Sequence, residues 1–67
     1  MIVKLQSTIL ENIINKFQNE NGYFVWDEVP GWLRAHDFDL TIKADDAHFY
    51  AEFSTAEEAT RFLLAWA

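Results

Sequence analysis

The sequence predicts a small α+β domain, and three observations carry that prediction. Two apolar stripes recur with helical spacing, one near each end of the 67-residue chain. Between them lie two segments in which apolar and polar residues alternate strictly, as in half-buried strands. Apolar residues make up 51% of the chain and aromatic residues 16%, which is enough large side-chain area for one core without disulfide or metal support. Residues 1–67 are therefore expected to form a single compact domain in the order β-α-β-α-β-β-α. Its sheet would be antiparallel or mixed, with two long helices packed on one face.

The elements follow in chain order. Ile2 to Gln6 reads as a first strand, with Val3 and Leu5 opposite Lys4 and Gln6. A helix follows, with Thr8 and Glu11 spaced as a capping box and Leu10, Ile13, Ile14 and Phe17 as its stripe. Gly22 closes it, because glycine accepts a left-handed cap. Tyr23 to Trp26 is β-prone and predicts a short strand. Asp27 to His36 predicts a short helix with Pro30 in its first turn, weakened by Gly31.

Phe38 to Phe53 reads as a hairpin. Phe38, Leu40 and Ile42 share one face with Phe49, Ala51 and Phe53. A two-residue loop at Asp45-Asp46 then pairs Ile42 with Phe49, Leu40 with Ala51, and Phe38 with Phe53. Asp-Asp is a poor primed turn, so a longer loop is the alternative. The last helix starts at Ser54, with Glu57 as capping-box partner, an i, i+4 pair between Glu57 and Arg61, and Ala59, Phe62, Leu63 and Trp66 as its stripe.

Charge is unevenly placed. Met1 to Trp26 sums to zero, whereas Asp27 to Glu58 holds nine acids against Arg34 and Lys43, a net of −7. The chain total is −6. A field of that sign repels nucleic acid and attracts basic surfaces. The chain has no cysteine, which excludes thiol nucleophiles, thiolate metal sites and disulfides and fits a cytoplasmic setting. No signal peptide or spanning segment is read. The chain opens with Met and closes on a full helix, as a whole gene product would.

No nucleophile elbow, phosphate-cradling loop or HExxH spacing occurs. Ser7 and Ser54 are better explained as helix starts. His36 and His48 are expected at the surface, His36 at a helix end and His48 beside Lys43. The expectation is a non-enzymatic protein with no catalytic residue, no metal and no cofactor.

The candidate binding residues are Asp37, Asp39, Asp45, Asp46 and Glu52, with Glu28 and Trp32 added. The expected register sets Asp39 directly opposite Glu52, a like-charge pair that a basic partner would neutralise; otherwise the Glu52 side chain swings into water. Spaced carboxylates on a small sheet would then imitate a phosphate array and occupy a basic groove of a nucleic-acid-handling complex. The alternative is a protein–protein interaction module or small homodimeric subunit. It would use an aromatic patch around Tyr23, Phe24, Trp26 and Trp32, unless these rings fill the joint between the middle helix and the sheet.

Phe38 to Trp66, with the run Phe53-Ser54-Thr55-Ala56-Glu57-Glu58-Ala59, resembles the ββα tail of many small ferredoxin-like domains. In length, lack of cysteine and the carboxylates from Asp27 to Glu58, the whole chain resembles the small acidic inhibitors that bacteriophages and mobile elements use against host defence, anti-CRISPR and anti-restriction proteins among them. That likeness implies an inhibitor acting in the host cytoplasm on a nuclease or its nucleic-acid groove. It is one of type, without a shared motif, and carries no residue over.

Overall fold

A computed structural model describes all residues, 1–67. Three strands and three α-helices follow in the order β1 (Ile2–Lys4), α1 (Ser7–Asn21), a 3-10 turn (Trp26–Glu28), α2 (Val29–Ala35), β2 (Thr41–Ala44), β3 (Phe49–Glu52) and α3 (Ala56–Trp66). The sheet order is β1-β3-β2 and every pairing is antiparallel. The domain is thus α+β with three strands. The expected strand at Tyr23–Trp26 is absent, because its aromatic residues pack on the core and the chain goes straight into the 3-10 turn.

Alternation along the strands sorts the two faces of the sheet. Val3, Ile42 and Ala51 share one row across the three strands, and Leu5, Leu40 and Phe53 continue that face into the core. Twelve residues are buried, all hydrophobic, and they form one cluster drawn from all three helices and the sheet. The opposite face carries Lys4, Tyr50 and Lys43 in one row and Ile2, Glu52 and Thr41 in the next.

The buried stripe of α1 is Ile9, Ile13 and Phe17, with Leu10 and Ile14 half-buried at its side. To place Ile9 on that stripe the helix must begin earlier than Thr8. It starts after Gln6, without a side-chain cap, so the Thr8–Glu11 capping box does not form. Gly22 closes it at φ +79°, donating its N–H to the Gln18 carbonyl at 2.8 Å. Asn12 Nδ2 donates to the Trp66 carbonyl at 2.7 Å, tying α1 to the last turn of α3.

Capping of α3 falls one residue later than Ser54. Thr55 is the N-cap, and its hydroxyl accepts from the Glu58 N–H at 3.2 Å. The stripe Ala59, Phe62 and Trp66 is buried as its period requires, with Leu63 half-buried beside it. Arg61 does not pair with Glu57. It lies 4.8 Å from the centre of the Phe38 ring and donates to the Asp37 carbonyl.

The aromatic residues form a connected path through the core. Trp26 stacks on Phe49 at 4.7 Å, and contacts run on through Phe24, Phe17, Trp32 and Trp66 to Phe62. No helix is long and apolar enough to cross a membrane.

Candidate functional site

The hairpin places four of the candidate residues, but in a register different from the expected one. Ile42 faces Ala51 and Thr41 faces Glu52, two residues away from the pairing that a loop at Asp45-Asp46 would give. The tip is Asp46-Ala47 instead. A primed turn at Asp45-Asp46 would need positive φ at both residues, and neither adopts it. Asp45 uses its side chain to close the turn. Its Oδ1 accepts from the N–H groups of Ala47 at 2.9 Å and His48 at 2.7 Å, and its N–H donates to the His48 carbonyl.

The expected like-charge pair of Asp39 and Glu52 is therefore not made. Glu52 pairs with Lys43 at 3.2 Å, and Asp39 lies 3.6 Å from Arg34. His48 neighbours Asp45 rather than Lys43. Asp39 and Glu52 do meet at the rim of one shallow crevice of about 240 Å³, together with Thr41 and Ser54. Asp45 and Asp46 sit at the far end of the same hairpin. Six residue steps of extended chain run from Asp39 to Asp45, roughly 20 Å.

Asp37 has a structural task. It adopts φ +68°, the only non-glycine residue in the left-handed region, which aspartate tolerates better than most. There it closes α2, with its own N–H on the Arg34 carbonyl and the Phe38 N–H on the Leu33 carbonyl. Its carboxylate has no ion-pair partner.

Glu28 and Trp32 belong to a third region. Glu28 Oε1 accepts from the Tyr23 hydroxyl at 2.6 Å. Trp32 Nε1 donates to Glu20 Oε1 at 3.2 Å, and that oxygen also lies 3.1 Å from His36 Nε2. Lys16 reaches the other Glu20 oxygen at 3.4 Å. Glu20 thus clasps α2 to α1. The expected aromatic patch is mostly absorbed by packing: Phe24, Trp26 and Trp32 are half-buried against the core, while Tyr23 and Val25 stay 45% and 41% exposed.

Four groups have shifted acidities. Partial withdrawal from water pushes the Glu20 carboxyl up, but hydrogen bonds from Trp32, His36 and Lys16 outweigh it and hold the group below its ordinary value. The N–H groups of Ala47 and His48 hold the Asp45 carboxyl down in the same way. Tyr23 is raised, first by its hydrogen bond to Glu28. Tyr50 is raised by partial burial and then by its bond to Asp45.

No protein family, curated protein or solved structure matches this chain. The residues themselves must carry the functional reading.

No group of three or more His, Asp or Glu side chains gathers in a way that could hold a metal ion. The candidate residues fall into separate groups: Asp39 with Glu52 at one end of the hairpin, Asp45 with Asp46 at the other, and Glu28 with Trp32 beside α2. The bases are used internally. Lys16, Arg34 and Lys43 pair with acids and Arg61 is held by Asp37 and Phe38, which leaves Lys4 as the one base outside such a contact. Glu11, Asp27, Glu28, Asp37, Asp46, Glu57 and Glu58 have no ion-pair partner. The clasp at Glu20 escaped the sequence reading. Its Lys16–Glu20 half is visible as an i, i+4 spacing, whereas the Trp32 and His36 half depends on how α2 lies against α1.

Proposed function

We propose that this chain is a small acidic, non-enzymatic binding protein whose partner presents a basic surface. Its most specific form is an inhibitor of a nucleic-acid-handling complex, of the kind mobile elements direct at host defence. One observation supports it above the others: four of the five Lys and Arg side chains are tied up in local contacts, and six exposed carboxylates (Glu11, Asp27, Glu28, Asp37, Asp46 and Glu57) have no ion-pair partner. A surplus of that size attracts a cationic surface and speeds its approach.

Three separated acidic regions favour an encounter with a broad basic surface over imitation of one phosphate rank. Local anchoring would then come from whichever acidic region has a recess beside it. Asp39 is the most available of the hairpin acids that pair with a base, since its side chain is 70% exposed and its Arg34 contact is a loose 3.6 Å.

The test is affinity capture from a bacterial lysate, elution by salt, and competition of the captured partner with duplex DNA. The expected result is elution by moderate salt and displacement by DNA. A partner held unchanged in about 1 M salt, where the Debye length falls to about 3 Å, and indifferent to DNA would overturn the reading.

A further inference from the structure

A crevice of about 380 Å³ opens between the end of α1 and the start of α2. Phe17 and Trp32 supply its aromatic wall, Asn21, Asp27 and Glu28 its polar rim, and Gly31 its open side. We infer that this crevice receives an arginine side chain of the basic partner, an inference that rests on the binding function proposed above.

The rim is rich in hydrogen-bond acceptors. Asn21 Nδ2 gives one of its two N–H groups to the Phe17 carbonyl at 3.0 Å, and its Oδ1 is an acceptor. Glu28 uses one carboxylate oxygen on the Tyr23 hydroxyl and keeps the other. Asp27 contributes two more acceptors. The rim thus offers four acceptor oxygens against one free side-chain N–H, that of Asn21, a surplus that suits a guanidinium with its five N–H groups.

The charge around the crevice is negative. No base of the fold lies within ion-pair distance of Asp27 or Glu28. The last turn of α1, which ends at Asn21, contains no basic residue, so no side-chain charge of that turn offsets the negative end of the 15-residue helix. The ordinary role of such acids is to complement the start of the next helix. Glu28 stands at the N-cap of α2 yet makes no side-chain cap hydrogen bond.

A planar guanidinium stacks on an indole face, and Trp32 is half-buried and fixed in orientation by its bond to Glu20. A Cβ built on Gly31 meets nothing within 4 Å, so the recess is unfilled on that side. Lysine would gain the charge attraction without the stacking or the fork.

The experiment titrates N-acetylarginine methylamide into isotope-labelled protein at low salt, following the Trp32 indole N–H and the Asn21 side-chain amide by NMR. Saturable shifts at both are expected, with weaker binding of the lysine analogue and none of the neutral citrulline analogue. Gly31→Leu keeps the net charge and should abolish the shifts. Asp27→Asn should weaken binding about twofold to fivefold, the range of an exposed ion pair. Citrulline binding as well as arginine, or arginine binding unchanged in both variants, would overturn the inference.

A parallel titration with poly-arginine separates this inference from the reading beneath it. Poly-arginine that binds without moving Trp32, and equally in Gly31→Leu, removes the crevice and leaves the acidic binding function. Poly-arginine that does not bind at all removes both. The remaining amide spectrum shows whether each variant is folded.

Discussion

Replacing Phe62 with alanine should remove between a third and all of the chain's stability at 25 °C. Phe62 is fully buried on α3, edge-on to Phe38 at 5.7 Å and tilted against Phe53 at 5.3 Å and Trp66 at 6.3 Å. Truncating a buried phenylalanine costs about 3–5 kcal/mol, transfer and cavity together. At about 0.05–0.15 kcal/mol per residue, a chain of 67 residues has a total stability of roughly 3–10 kcal/mol. The substitution therefore removes a third of the stability at the least and all of it at the most. Phe62→Leu refills much of the volume and should cost less, about 1–2 kcal/mol. The assay is urea unfolding followed by tryptophan fluorescence and circular dichroism. With a slope near 1 kcal/mol/M, Phe62→Leu should lower the midpoint by about 1–2 M. A Phe62→Ala protein less than about 1 kcal/mol below the parent would show that the three neighbouring rings do not enclose this one, and the packing argument would fall.

Other outcomes follow from the caps, the glycines and the titrating groups. Thr55→Ala removes the only side-chain cap of α3 and should cost about 1 kcal/mol in the same urea assay. Gly22→Ala and Gly31→Ala make a matched pair, because an added Cβ meets nothing at either position. Gly22 holds φ +79°, so alanine there should destabilise by about 1 kcal/mol, whereas in α2 at Gly31 it should stabilise by about 0.4–1 kcal/mol. The Glu20 and Asp45 carboxyls are held below their ordinary values, near 4.5 and 3.8, so each contributes stability that is full above those values. That contribution is lost as pH falls through the lower folded values. Acid titrations of thermal midpoint should accordingly steepen below about pH 4.5, and Glu20→Gln should flatten the limb. Tyr23 and Tyr50 are raised, so their contribution is present below pH 10 and fades as pH climbs through their folded values. Tyr23→Phe should blunt that alkaline loss.

Much of this fold is legible in residue spacing, and the failures share a cause. Alternation alone places Leu40, Ile42, Phe49, Ala51 and Phe53 on the core face. The α3 stripe needs only its 3.6-residue period. Tyr23 to Trp26 misleads because β-prone aromatic residues are also good packing residues. Here Phe24 touches Phe17 and Trp26 stacks on Phe49, so packing rather than pairing uses them. The acidic region misleads in a similar way. Its −7 balance is real in sequence, but folding brings Arg34 to Asp39 and Lys43 to Glu52, and turns Asp37 and Asp45 into turn-forming residues. Net charge survives folding as a total, whereas patches depend on contacts that spacing does not encode.

The hairpin register separates these two kinds of information most sharply. A slip of one residue would turn every side chain of β2 to the other face, but a slip of two keeps each face intact. Alternation therefore cannot choose between Ile42 opposite Phe49 and Ile42 opposite Ala51. Two agents remain: the Asp45 side chain at the turn, and the anchorage of the β2 approach, where Leu40 is buried and Phe38 lies between Phe62 and Arg61. The double substitution Asp45→Asn, Asp46→Gly sets them against each other, because Asn-Gly strongly favours a two-residue primed turn at those positions. That turn demands the alternative register and a shift of β2 by two residues, about 7 Å along β3. Such a shift would pull Leu40 and Phe38 out of the core, so the expected result is the native register with a lower urea midpoint. Cross-strand NMR contacts between Leu40 and Ala51 in place of Ile42 and Ala51 would show that the turn governs the register and the core merely follows.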